Sequence, residues 1–464
     1  MRPEVAAMQI LVLNGSPKGE NSITLFTPKY LEKHFPDDTF HVLHVGQRIQ
    51  SMEKDFSKVL DLIEKADLLL FCYPVYTFLV PSQLHRFIEL LKASGLSLDG
   101  KYATQISTSK HFYDVTAHRF IEENCYDLGL KYLDGLSADM DDLLSERGRK
   151  EALAFYTRIL FSIRHGFSKP PVVRKPMQGQ GISSIENACF PSSRPLKEGK
   201  VVIVADFDPY ERNGVLSVMI ESLRAWLPYE TSVVNLRSFP FAGGCLGCFH
   251  CASDGTCVYK DGFDTFLREN IQSAQAIVYA FTIRDHSMGS LFKTYDDRQF
   301  CNGHRTVTMG KPVGYLVEGD LNSEQNLSLL IEARAEVGGN PLAGIAVSTR
   351  DMQNEIIQLA ETIAFMLDSD YTKPKNFYGV GGLKIFRDLI YQMQGLMRAD
   401  HRFYKANGFY DFPQKKPGMI AAMYLVGSLM KNKKLQKKIA GKMTEGMILP
   451  YKKVLEKEDA DSDI

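Results

Sequence analysis

Ile10-Leu11-Val12-Leu13-Asn14-Gly15-Ser16-Pro17-Lys18-Gly19-Glu20-Asn21-Ser22-Ile23-Thr24 decides how the rest of the chain is read. Its four apolar residues form a short run stopped by turn formers, the pattern of a parallel strand buried on both faces. A helical pattern follows from Leu25 to His34. A strand, a loop rich in glycine and hydroxyls, and a helix N-terminus together make an anion site. Backbone N–H groups converge there and the helix dipole is positive; Ser16, Ser22 and Thr24 offer hydroxyls, and Lys18 adds a full charge. The spacing is neither G-x-x-x-x-G-K-[ST] nor G-x-G-x-x-G. An ordinary capped turn is the competing account; the flanking strand and helix favour a phosphate.

Working outward, the alternation of strand and helix continues. Phe40–Val45 reads as a strand, Phe56–Glu64 as a helix, and Asp67–Cys72 as another buried strand ending in Tyr73-Pro74-Val75-Tyr76-Thr77-Phe78. Proline stops that strand and places Tyr76 at its carboxyl end, the edge where doubly wound sheets hold ligands. Tyr76 either packs on a flat ring or merely covers the sheet end. Ser82–Lys92 is an amphipathic helix. Tyr102–Ile106 is a strand, and Ser107-Thr108-Ser109-Lys110-His111-Phe112 reads as a third polar loop on the same edge. A strand near Lys131–Leu136 and a helix over Ser145–His165 complete a five-stranded α/β unit.

Between Lys169 and Gly199 proline, glycine and serine replace the pattern, as in a linker. Then the plan repeats. Val201–Val204, Thr231–Leu236, Ala276–Phe281, Pro312–Val317 and Leu342–Val347 read as strands. Val215–Leu227, Gly262–Ile271, Leu327–Glu336 and Met352–Leu367 read as helices. This is a second copy of one fold about two hundred residues later. Where the first copy has Gly15-Ser16-Pro17-Lys18, the second has Asp206, Asp208 and Glu211, whose carboxylates would repel a phosphate.

After its second strand the second copy carries Gly243-Gly244-Cys245-Leu246-Gly247-Cys248-Phe249-His250-Cys251-Ala252-Ser253-Asp254-Gly255-Thr256-Cys257, four of the chain's eight cysteines. The first copy has no cysteine at that place. Three thiolates in one tight run, with a fourth shortly after, can wrap a compact iron–sulfur cubane. Structural zinc more often takes two separated pairs. A disulfide is disfavoured in a reducing compartment, and four unliganded thiols in one loop are a liability. Cys245, Cys248, Cys251 and Cys257 are therefore the candidate metal ligands, with a 4Fe–4S cluster ahead of zinc.

These residues resemble the NADPH-dependent FMN reductase branch of the flavodoxin-like proteins, and within it the iron–sulfur flavoproteins. Gly15, Ser16, Pro17, Lys18, Ser22 and Thr24 are similar to the family's G-S-P-[RK]-x-x-x-S-x-T phosphate loop. Pro74-Val75-Tyr76 resembles the P-V-Y loop beside the isoalloxazine. Cys245, Gly247, Cys248, Cys251, Gly255 and Cys257 resemble C-x-G-C-x-x-C…G-x-C, and Lys293…Asp297-Arg298 resembles a K-x-x-x-D-R helix ending. The second copy departs from the family, lacking the phosphate loop and carrying Thr282-Ile283-Arg284-Asp285 in place of P-V-Y.

The resemblance implies two tandem flavodoxin-like parallel sheets. The layout is an FMN-binding domain over 1–168, a linker over 169–199, a cysteine-bearing domain over 200–370 and a basic helical extension over 371–464. It further implies that the copies form within one chain an interface that subunits form elsewhere; association of whole chains is left open. FMN would lie on Ser16, Lys18, Ser22, Thr24, Pro74, Val75 and Tyr76, with Thr108, Ser109 and His111 candidates around the ring.

The 464 residues carry no net charge, so overall charge names no partner and none is expected among nucleic acids. From Tyr371 onward there are 18 Lys/Arg against 9 Asp/Glu. Phe386–Met397 and Met419–Met430 read as helices there. Tyr378-Gly379-Val380-Gly381-Gly382 lacks both the third glycine and a preceding strand needed to hold a dinucleotide. The lysine run Lys431–Lys442 is either a solvated helix face or a contact with a membrane surface or acidic partner. No secretory pattern and no span of about 20 apolar residues is visible, so a cytoplasmic protein is expected.

Three functions fit. One is an NAD(P)H-dependent flavin oxidoreductase with an iron–sulfur cluster, whose chemistry is borne by the flavin without a side-chain acid or base. Another is a non-enzymatic carrier between a ferredoxin-like protein and a partner. The third is an FMN protein with a structural zinc.

Overall fold

A computed structural model describes residues 7–171, 195–210 and 214–429. Most of the expected linker, and Glu211, lie outside them. By compactness the chain divides into two units, the first running to Tyr404 and the second from Lys405.

The first unit holds two parallel sheets. In chain order, the first half comprises β1 (Gln9–Asn14), α1 (Phe26–His34), β2 (Thr39–Leu43), α2 (Val45–Met52), α3 (Ser57–Lys65), β3 (Leu68–Pro74), α4 (Ser82–Ala93), β4 (Tyr102–Ser109), α5 (Asp114–Asp127), β5 (Lys131–Tyr132), β6 (Leu136–Asp139) and α6 (Glu146–Arg164). Its sheet runs β2-β1-β3-β4-β5, with β6 on the far part of β4. Central β3 is apolar without alternation, and Leu68, Leu69, Leu70, Phe71 and Cys72 are all buried because helices cover both faces.

The second half comprises β7 (Lys197–Asp206), α7 (Val215–Trp226), β8 (Tyr229–Asn235), α8 (Phe263–Phe266, continued as a π turn over Leu267–Gln272), β9 (Ala276–Thr282), α9 (Ser290–Arg298), β10 (Val313–Glu318), α10 (Gln325–Gly338), β11 (Leu342–Val347) and α11 (Met352–Asp368). Its sheet order, β8-β7-β9-β10-β11, is that of the first: second strand, first, third, fourth, fifth. Both are the flavodoxin-like doubly wound order, whose ligand edge lies at the carboxyl ends of the strands. α12 (Phe377–Gln392) and α13 (Arg398–Ala406) follow, and α14 (Pro417–Leu429) lies in the second unit.

Several boundaries move from expectation. Val45 opens α2, because the chain turns under the sheet edge at His44 and closes a hydrogen-bonded helical turn there. Ser107, Thr108 and Ser109 are strand and not loop: β6 pairs with them and prolongs β4, so the polar loop starts at Lys110. α5 was not foreseen; its weakly amphipathic stretch is buried by tertiary contacts. β7 opens at Lys197, inside the stretch read as linker. α12 starts at Phe377 and takes in Gly379, Gly381 and Gly382, consistent with the absence of a dinucleotide turn.

The halves meet through α4 and α9 in a reciprocal contact. The N–H of Ser82, first residue of α4, donates to Asp297 of α9 at 2.8 Å. The N–H of Ser290, first residue of α9, donates to Glu89 of α4 at 2.7 Å. Glu89 and Asp297 stand two turns along their helices, so each helix start is capped by a carboxylate of the other half. Such self-complementarity is that of an isologous interface. Lys293 completes one side, donating to the Tyr76 carbonyl at 2.8 Å and pairing with fully buried Asp297.

Candidate functional site

The loop after β1 is shaped by Asn14, a residue its motif does not single out. The Asn14 amide donates to the Gly19 carbonyl at 2.9 Å and its oxygen accepts from the Ser16 N–H at 3.2 Å. It also meets His44, which reaches Glu20 at 2.8 Å. Gly46, second residue of α2, lies so close that a Cβ there would stand 2.3 Å from the Gly15 carbonyl. Ser16, Ser22 and Thr24 are thereby held buried at the foot of α1, whose first turn opens at Phe26.

Thr24 joins this loop to the next strand, its hydroxyl 2.5 Å from that of Thr108. Pro74 closes β3 opposite Thr108, and the Val75 N–H donates to the Thr108 carbonyl at 3.1 Å. Tyr76 opens a tight turn with Leu79 in which Thr77 and Phe78 take positive φ, +42° and +68°. Non-glycine residues adopt that conformation only where surrounding contacts enforce it. Lys293 and Asp297 supply them, from the other half, at the Tyr76 carbonyl and the Thr77 hydroxyl. Ser109 accepts from the His111 N–H at 2.8 Å. His111 itself stands at the rim, half exposed and 3.2 Å from Asp114.

The cysteine loop lies on this same edge. A Cβ at Gly247, whose φ is +59°, would stand 1.9 Å from the Tyr76 hydroxyl, so only glycine fits. Lys18 lies over the Phe249 ring at 5.1 Å, and Tyr76 meets the edge of Phe300 at 5.5 Å. The Gln83 amide donates to the Cys245 carbonyl at 3.1 Å, and Gln50 donates to the Ala242 carbonyl at 3.1 Å. Burial pushes the Tyr76 hydroxyl pKa well up, and Cys245, Asp297 and Cys248 add to the effect, so Tyr76 is a neutral donor at ordinary pH.

Around the sulfurs, the Gly247 N–H points to Cys245 Sγ at 3.4 Å, and Arg298 reaches Cys257 Sγ at 3.7 Å. Arg298 is buried, paired twice with Asp261 at 2.8 Å and packed on the Tyr259 and Phe263 rings; its Nε has no partner. Burial, with neighbouring thiols and carboxylates adding to it, pushes the Cys245 thiol up to about 12 and that of Cys251 to about 11. The same strand end in the second half is closed differently. Asp206 holds Arg237 at 2.7 Å, and Arg237 also reaches Asp208 at 3.6 Å.

Two kinds of residue escaped sequence reasoning. Asn14, His44 and Gly46 act by packing under the loop; Gln50, Gln83 and Phe300 act across the halves. No spacing announces either kind, although Lys293, Asp297 and Arg298 were visible as a motif without a partner.

Residues 8–118 match the sequence model of the family described as NADPH-dependent FMN reductase. A protein named iron-sulfur flavoprotein from Archaeoglobus fulgidus is 27% identical over 176 residues, covering 36% of this chain and 79% of that protein. Among solved structures, an NAD(P)H:quinone oxidoreductase from Methanothermobacter marburgensis aligns over 36% of this chain and 100% of its own, with 13% identity and a TM-score of 0.28. An FMN-dependent NADH-azoreductase from Bacillus anthracis in complex with FMN aligns over 32% and 99%, with 15% identity and a TM-score of 0.26. Over residues 8–118 the first half is thus similar to the NADPH-dependent FMN reductases, and its sheet has the flavodoxin-like order.

Proposed function

We propose that this chain is an NAD(P)H-dependent flavin oxidoreductase with FMN on its first half and a 4Fe–4S cluster on its second, exchanging electrons between them. The observation that carries the reading is the seating of the Cys245–Cys257 loop directly on Tyr76 and Lys18.

The residues present fit FMN. Ser16, Ser22 and Thr24 present buried hydroxyls at a helix start, and Lys18 supplies a cation, a donor set suited to a phosphate dianion. Pro74, Val75, Tyr76, Thr108, Ser109 and His111 frame the adjoining edge for the ring. Bound there, FMN supplies both hydride and single-electron chemistry, whereas a cluster handles single electrons only.

The cysteines suit a cluster by their spacing: three in one tight run and a fourth shortly after can wrap a cubane, whereas structural zinc more often takes two separated pairs. Arg298 and the Gly247 N–H offset thiolate charge, and the Gly247 approach keeps the loop against Tyr76.

Anaerobically purified protein tests this. It should contain one FMN, with iron and acid-labile sulfide at about four each per chain, and oxidise NADPH or NADH. In stopped flow the cluster should become reduced only while flavin is present. Two flavins per chain, or iron reduced equally fast after flavin is stripped, would refute the arrangement. One zinc and no iron would leave an FMN protein with a structural metal; absence of NAD(P)H oxidation would leave a carrier.

A further inference from the structure

We infer that His85, Glu89 and Asp285 form a binding site for a divalent cation of the zinc class, which staples the two halves together. The two sides of the α4–α9 contact are built alike but charged differently. On one side Lys293, fourth residue of α9, sets its ammonium 2.8 Å from the Tyr76 carbonyl and 3.1 Å from the Thr77 hydroxyl, against the carboxylate of Asp297, eighth residue of the same helix. On the other side the fourth and eighth residues of α4 are His85 and Glu89. Asp285 stands where Thr77 does, second in a tight turn (Arg284–Ser287) and at a positive φ of +50°. One side thus holds a cation that the chain supplies. The other exchanges lysine and threonine for an imidazole and a second carboxylate, removing that fixed cation and adding a negative charge.

The side chains are gathered as ligands. One donor atom from each of His85, Glu89 and Asp285 lies within 4.8 Å of the other two. His85 is fully buried, and neither ring nitrogen has a hydrogen-bond partner among the described residues; Nε2 stands 3.9 Å from Glu89 Oε1. A buried polar group left without a partner is destabilising, and an ion between the ring and the carboxylates satisfies it. Burial pushes the His85 pKa down to about 4, so the ring is neutral with a lone pair to give. Residues four apart share one helix face, a spacing from which paired side chains grip a metal. Two ligands about 2.1 Å from a tetrahedral ion stand about 3.4 Å apart, so a closure of about half an ångström completes the site. One nitrogen with two carboxylates suits zinc better than calcium or magnesium, which take oxygen alone. The carboxylates also hold partners within the chain: Glu89 has Arg86 at 2.9 Å and the Ser290 N–H, and Asp285 has Lys92 at 2.9 Å. Each carboxylate carries about four lone-pair sites, enough to keep these contacts beside an ion. Neither the flavin nor the cysteine loop enters into this reading.

The full-length protein is equilibrated with zinc chloride, the excess is removed, and the retained zinc is counted and its ligands read by X-ray absorption. One zinc per chain is expected with nitrogen and oxygen ligands at about 2.0–2.2 Å; zinc with sulfur at about 2.3 Å belongs to the cysteines and is counted apart. His85→Leu and Asp285→Asn should each weaken the nitrogen–oxygen zinc by about 100-fold or more. His85→Lys, which copies the Lys293 side, should lose that zinc as well. The urea midpoint of the wild type should rise with zinc, because the ion binds only the folded chain, and that of His85→Lys should not respond. Absence of nitrogen–oxygen zinc from the wild type overturns the inference, as does such zinc surviving either His85→Leu or Asp285→Asn. A His85→Lys midpoint that still climbs with zinc equally overturns it.

Discussion

After β1 the chain carries Gly15, Ser16 and Lys18; after β7, at the same place in an identically ordered sheet, it carries Asp206 and Asp208. The first loop is held open by Asn14 beneath it and offers hydroxyls and a cation. The second is closed by Arg237, which satisfies both carboxylates. The next connection differs in the opposite sense: the first half folds α2 after its second strand, and the second half places the cysteine loop there. One strand order thus carries two different sets of loops, and what differs lies at the sheet edge while the strands remain alike.

The largest effect expected is at the loop after β1. Ser16→Asp would put a carboxylate where the proposed phosphate sits and lower FMN affinity by at least about a thousandfold. Flavin absorbance of the purified variant checks it, and full flavin content would move the site elsewhere. Cys248→Ser should remove the proposed cluster's iron yet leave one FMN per chain, because Cys248 is exposed and the loops proposed for the flavin belong to the other half. Loss of both cofactors would show that the halves do not divide the work.

The reciprocal contact can be sharpened by unequal deletions. Asp297 is fully buried and pairs with equally buried Lys293, so Asp297→Ala strands a charge and should cost about 3–5 kcal/mol. Glu89, its counterpart, is partly open and shared with Arg86 and Ser290, so Glu89→Ala should cost about 1–2 kcal/mol. Urea denaturation midpoints should rank them in that order; a reversal would mean that burial does not set the difference.

The last effect, read only as a change with pH, belongs to His286. Burial opposes its charge, but hydrogen bonds to Asp127 across the halves and to Glu324 prevail and push its pKa up to about 9. This contribution, about 2–3 kcal/mol at most, is complete below pH about 6.5 and lost as the pH rises through about 9. His286→Gln should flatten the alkaline limb of a stability–pH profile; an unchanged limb would place the loss in other groups.

Much of this molecule is written locally. Buried strands such as Leu68–Cys72 are continuous apolar runs, and turn formers bound them, because a parallel sheet covered on both faces requires both. The hydroxyl loop and the cysteine run are equally legible, since phosphate and metal chemistry need particular residues at short spacing. Strand continuation was less legible: Ser107, Thr108 and Ser109 are polar enough for a loop, and only pairing with β6 makes them strand. The sequence by itself determined two α/β halves, a candidate anion loop in one and four clustered thiols in the other. Tertiary structure alone decided that Gly247 touches Tyr76, that Lys293 and Asp297 hold the Tyr76 turn, and that Asn14 with Gly46 shapes the Ser16 loop. Those contacts join residues distant along the chain, and their energy comes from burial and from hydrogen bonds that exist only once both sheets have folded and packed.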